Sequence, residues 1–173
     1  MARSEGKGGM INIAWSWRWP ALDSELLVSK SVVEVLNRYR QRRFNLERGG
    51  QLFVDPINLN GLILTGATTP HYADRAGRSW IDMDPSRCQR EIVAANEKGL
   101  RLVGYWHTHP QTIPEISQTD VESFRRFSAL NKQELPHPIA VIVGTSSKPN
   151  GIRAWSFRQD SYIEGVRSDH IGS

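Results

Sequence analysis

Ile11, Ile13, Trp15, Trp17 and Trp19 alternate with mostly small or polar neighbours, the period of a strand with one apolar face. Pro20, which has no N–H to give a ladder, ends that pattern. Ser31 and Glu34 then form a capping-box pair, and Val32, Val35, Leu36 and Tyr39 follow at helical spacing. Gln51–Val54 and Leu62–Thr65 read as short strands, the second entered through the turn pair Asn60-Gly61. The next helix is well punctuated. Asp84 is its N-cap, Pro85 its first residue and Gly99 its stop, with Lys98 in the last turn and Cys88, Ile92 and Ala95 on the inner face. Arg101–Trp106 is a strand, followed by a loop marked by Pro110 and Pro114. Ser117 opens another helix whose Val121, Phe124, Phe127 and Leu130 fall three apart. Ile139–Val143 has the β-branched character of a strand covered on both faces, and Gly151–Phe157 gives a last strand. Strands and helices intermix, so the expected class is α/β or α+β, a mixed sheet flanked by helices.

Length bounds the organisation: 173 residues suffice for one domain with its own core, and no repeat or long linker divides them. Residues 1–9 are expected to be a flexible N-terminus, 10–164 the domain and 165–173 a loose tail. No apolar run approaches the ~20 residues of a membrane span, and no signal peptide is visible. Cys88 has no internal partner, which points to a reducing compartment, and a cytoplasmic location is expected. The formal charge of +4 permits an acidic partner without requiring one. The densest basic run, Arg38 to Arg43, ends a helix, where it complements the dipole; a docking patch for nucleic acid or an acidic protein is the alternative. The three tryptophans of the first strand are either core or, in a scaffold, a docking face.

The chemistry lies in Tyr105-Trp106-His107-Thr108-His109-Pro110 and in Ser117-Gln118-Thr119-Asp120. In extended backbone, residues two apart point to one side, so His107 and His109 can converge. Two imidazoles and the Asp120 carboxylate make a three-ligand zinc site with a fourth position for water. Taken singly, the pieces have plain explanations: a strand histidine pair without a ligand, and a Ser-x-x-Asp helix cap. His71, His137 and His170 lack comparable company and read as surface or turn residues.

The conjunction is more specific than its parts. His-x-His, seven intervening residues, Ser, two more and Asp resembles the signature of the JAMM metalloproteases, also called MPN+ or JAB, and the order of elements from about Leu27 to Phe157 is similar to theirs. That resemblance implies the JAB/MPN, cytidine deaminase-like fold and a Zn2+ cofactor held by His107, His109 and Asp120. It also implies an upstream glutamate as general base. Spacing leaves Glu34, Glu47, Glu91 and Glu115 open; Glu47, in a segment resembling the family's Glu-x-Gly-Gly, is the one the resemblance selects. Its glycines would let the backbone approach the metal centre. Ser117 would donate to the oxyanion of a hydrolysed amide. The implied activity is isopeptide or peptide cleavage after the tail of a ubiquitin-like protein. Small bacterial members of the family are encoded beside ubiquitin-activating and ubiquitin-conjugating enzyme homologues, including those of CBASS-type antiphage operons. The implied partners are therefore a ubiquitin-like protein or its conjugate, a conjugated nucleotidyltransferase among them, with neither membrane nor nucleic acid. A non-catalytic MPN scaffold and a RadC-like nucleic-acid-associated protein are the alternatives. The second lacks support here, since Pro110-Gln111-Thr112 replaces the usual Pro-Ser-Gly.

Overall fold

The computed structural model describes residues 10–42, 44–56, 62–135, 137–158 and 160–169. The expected flexible N-terminus, the Asn60-Gly61 turn, Arg43 and His170 lie outside them. Among the described residues, eleven strands and three α-helices follow one another: β1 Ile13–Trp19, β2 Ser24–Ser29, α1 Lys30–Arg38, β3 Gly49–Asp55 and β4 Leu62–Ala67. Then follow β5 Arg75–Ala76, β6 Ile81–Asp82, α2 Pro85–Glu97, β7 Arg101–Thr108, α3 Gln118–Leu130, β8 Ile139–Val143, β9 Ile152–Phe157, β10 Tyr162–Glu164 and β11 Val166–Ser168. Nine strands form one mixed sheet in the order β10-β9-β8-β7-β3-β4-β2-β1-β11, and β5 and β6 form a separate hairpin. Among the described strands only β2–β4 and β7–β8 pair in parallel, the second joined through α3.

The two faces of the sheet have different partners. Val32 and Leu36 of α1 pack with Trp15, Trp17 and Trp19 and with Leu52, Leu64, Trp106, Val141 and Val143. The tryptophans are thus core, not a docking face. On the other face Val121 and Phe124 of α3 meet Ala140, Ile142, Trp155 and Phe157. Ile139–Val143 is buried throughout, as its two-sided apolar character predicts. Gln51, fully buried, reaches from β3 to the Cys88 carbonyl and the Glu91 carboxylate, which ties α2 to the sheet.

Three expectations shift. The N-cap of α1 is Ser29, whose Oγ accepts the Val32 N–H, and not Ser31; β2 runs directly into the helix, and Glu34 is exposed. The stretch expected as a loose tail contains β11, which pairs with β1. Gly165 alone separates β10 from β11, the two ends of the strand order, so the sheet curls until its edges meet. Trp19 Nε1 ties the seam by donating to the Ile163 carbonyl at 3.1 Å. Finally, β7 extends through His107 and Thr108, which gives His107 the rigidity of a central strand.

Candidate metal centre

The centre assembles where three segments end. His107 and His109 leave β7, Asp120 stands one turn into α3, and Glu47 precedes β3. His107 Nε2 lies 3.1 Å from His109 Nε2. Asp120 Oδ1 is 3.0 Å from the first, and Oδ2 is 3.2 Å from the second. Ligands 2.0–2.1 Å from a tetrahedral zinc stand about 3.3 Å apart, so this triangle has the dimensions of a zinc face. Glu47 Oε1 sits farther out, 3.8 Å from His109 Nε2, beside the triangle rather than in it.

Local sequence explains the aim of each group. Ser117 and Asp120 form a capping box: Ser117 Oγ accepts the Asp120 N–H at 3.1 Å, and Asp120 Oδ2 accepts the Ser117 N–H at 2.9 Å. The cap that fits this motif on its own terms is therefore also what turns the carboxylate toward the histidines. Gln111 Oε1 accepts from His109 Nδ1 at 3.4 Å, leaving Nε2 to face the centre. Thr108, between the two histidines, points away: its Oγ1 accepts the Arg48 N–H at 3.0 Å and donates to Gln41 Oε1 at 3.2 Å. With the Thr108 N–H donating to the Arg48 carbonyl at 2.8 Å, these bonds lock the residue after Glu47 to the strand of the histidines.

The glycines after Glu47 serve a different end from the one expected. A Cβ at Gly49 would stand 2.5 Å from the Trp106 carbonyl oxygen, and one at Gly50 2.1 Å from that of Thr68. Backbone crowding, rather than nearness to a metal, requires them. Of the four candidate glutamates only Glu47 reaches the centre. Glu34 and Glu115 are exposed, and Glu91 is held by Arg87 and Gln51.

The electrostatics call for a cation. Burial works against the Asp120 charge, yet bonds from His107 and His109 and the Ser117 N–H outweigh it and hold the carboxyl far below the usual range. Burial also disfavours charge on His109, but Asp120 and Glu47 overcome that and raise its pKa. A divalent ion there would compete with protons for the imidazoles, as metal binding to histidine does. Burial pushes the Glu47 carboxyl up to about 7, with His109 pulling it down and Asp120 adding to the rise. Two imidazoles and a carboxylate converging on one point, with a second carboxylate outside, fit zinc.

A cleft of about 190 Å³ adjoins His107 and Asp120, walled by Ile81, Met83, Tyr105, Phe124 and Phe127. A larger groove of about 700 Å³, between Trp17, Ile113 and Arg167, contains none of the site residues. Burial pushes the Cys88 thiol up to about 11, which makes it unreactive at neutral pH.

The profile of a family described as prokaryotic homologues of the JAB domain matches residues 29–158, a span that includes every residue named at the centre. The chain belongs to this family. Among curated proteins it is similar to a CD-NTase/cGAS isopeptidase of Pseudomonas aeruginosa, 28% identical over 134 residues that cover 75% of this chain and 84% of that protein. A CD-NTase/cGAS isopeptidase of Escherichia coli is 24% identical over 105 residues, 59% of this chain and 67% of the relative. The solution structure of a Desulfitobacterium hafniense protein superposes with a TM-score of 0.55 at 20% identity, covering 79% of this chain and 87% of that one, a likeness of fold. The JAB-domain chain described here thus has the fold that its sequence implied.

Proposed function

We propose that this JAB-domain protein is a zinc-dependent isopeptidase that cuts the amide after the C-terminal tail of a ubiquitin-like modifier. Its target would be a modified CD-NTase-type nucleotidyltransferase, as the names of its curated relatives suggest. The setting is a cytoplasmic antiphage operon with ubiquitin-activating and ubiquitin-conjugating enzyme homologues. The observation that carries the reading is the triangle of His107, His109 and Asp120 donors, 3.0–3.2 Å on a side, with Glu47 beside it.

In that reading His107, His109 and Asp120 hold the ion. Bound zinc supplies a Lewis acid for the scissile carbonyl and lowers the pKa of water from 15.7 to about 7. Glu47, buried and facing His109, takes a proton from the attacking water as its oxygen bonds to the carbonyl carbon. The same carboxyl then gives that proton to the amide nitrogen as the C–N bond breaks, so Glu47 ends the cycle unprotonated. Ser117 Oγ accepts the Asp120 N–H, which leaves its own proton free to donate to the oxyanion of the tetrahedral intermediate. The apolar wall of Tyr105, Phe124 and Phe127 offers an extended tail a surface next to the reacting carbon.

Cleavage of linear and isopeptide-linked ubiquitin-like fusions, with and without a chelator, tests the proposal. Chelator-sensitive cleavage at the modifier's C-terminus is expected. Intact fusions with the zinc-loaded protein, or cleavage indifferent to chelation, would overturn it.

A further inference from the structure

Arg87 is the most buried residue of α2, at 1% exposure, on a helix otherwise largely in contact with solvent. Its donors all find acceptors on three segments. Nε donates to Asp74 Oδ1 at 3.1 Å, and Nη1 to Thr68 Oγ1 at 3.2 Å and to Glu91 Oε1 at 2.8 Å. Nη2 donates to Asp74 Oδ2 at 2.8 Å and to the Gly49 carbonyl at 3.0 Å. Asp74 is in turn fixed by the Asp84 and His71 N–H groups, so the fork rests on an anchored carboxylate.

The contact with Gly49 matters because of what that backbone connects. Gly49 lies two residues after Glu47 and stands opposite His107 in the β3–β7 register. Successive carbonyls of a strand point to opposite sides. The Arg48 carbonyl takes the Thr108 N–H, so the Gly49 carbonyl points away from β7, toward where β4 would lie. The pairing of β4 with β3 ends at Leu52 and Ala67, before it reaches Gly49. Arg87 supplies the donor that a longer β4 would have supplied. A planar, five-donor guanidinium can hold this carbonyl, the 68–74 segment and its own helix together; an ammonium cannot.

We propose that Arg87 is a positioning residue for Glu47: by clamping the Gly49 carbonyl to Asp74 and Thr68, it fixes where the Glu47 carboxylate stands relative to the His107–His109–Asp120 triangle. The inference rests on the functional reading above, in which Glu47 moves the proton. Arg87 touches none of the three proposed ligands, so zinc uptake and proton transfer separate.

The test is the Arg87→Lys variant of the full chain, assayed on a ubiquitin-like protein fused through its C-terminus to a fluorescent protein. The expected result is wild-type zinc content, KM within about two-fold, and a fall in kcat of about ten-fold or more, since small misplacements of a reacting group are that costly. Independently of activity, amide exchange at residues 47–50 in the zinc-free protein should become faster. Asp74→Asn, which keeps the guanidinium but weakens its anchor, should show the same changes in smaller measure, and it decides the matter if the lysine variant does not fold. Folded variants with wild-type kcat, unchanged exchange at 47–50, or activity lost only in step with zinc would overturn the inference alone. A wild-type protein that takes up no zinc and cuts no fusion would overturn the functional reading and this inference with it.

Discussion

The Ser117 hydroxyl accepts the Asp120 N–H while its own proton stays free, so its two jobs respond differently to substitution. Ser117→Ala removes the cap and should cost about 1 kcal/mol of metal-free stability, read by urea unfolding. In the same variant kcat should fall by about 10²–10³, the cost of losing one oxyanion donor. A kcat within a few-fold of wild type would leave Ser117 as a helix cap only. These roles were partly legible in the sequence, because histidines two apart on a strand and Ser-x-x-Asp at a helix start are local geometry. Glu47 was not legible in that way. It lies 60 residues before His107, and only the register of β3 against β7 brings the two together. Gln111, which orients His109, gave no signal, since a loop glutamine carries none until its partner is known.

Helix α2 shows where punctuation and packing diverge. Asp84, Pro85 and Gly99 mark its ends as read, with Gly99 at φ +80° in the left-handed region that favours glycine. Its inner face holds as read, with Ala95 buried and Cys88 and Ile92 half-buried, but its most buried member is Arg87, a fully paired arginine that hydrophobic spacing does not mark. Burial disfavours charge on Asp74, but the Arg87 bonds, with the Asp84 and His71 N–H groups, outweigh it and lower the carboxyl's pKa. A carboxyl lowered in the folded state stabilises above its unfolded pKa of about 3.9 and loses that effect as pH falls through the folded value. Asp74→Asn should therefore cost about 1–3 kcal/mol at neutral pH, and the difference from wild type should vanish in acid. Urea unfolding of the metal-free protein across pH measures this; a difference independent of pH would remove the ion pair from the account. Strand β2 and the hairpin of β5 and β6 are not legible for a different reason: the three apolar residues of β2 run together without a strand's alternation, and β5 and β6 are two residues each, so pairing rather than pattern makes them strands.

For the molecule as a whole, the alternating tryptophans, the Ile139–Val143 run and the three helices sufficed to read a mixed sheet between helices. They did not reveal that β10 and β11 bring the sheet's two edges together across Gly165, where the sequence has little pattern. The curl wraps the strands around α1, leaving α2 and α3 on the other face, where the ends of β7 and α3 meet the approach to β3. One curled sheet thereby supports a centre whose groups come from three separate segments.

The zinc content of the purified protein tests this arrangement most directly. About one zinc per chain is expected in the wild type and in Glu47→Gln, which keeps all three ligands while abolishing cleavage, and almost none in Asp120→Ala. A wild type without zinc under zinc-replete conditions, or an Asp120→Ala protein that retains the full complement, would contradict it.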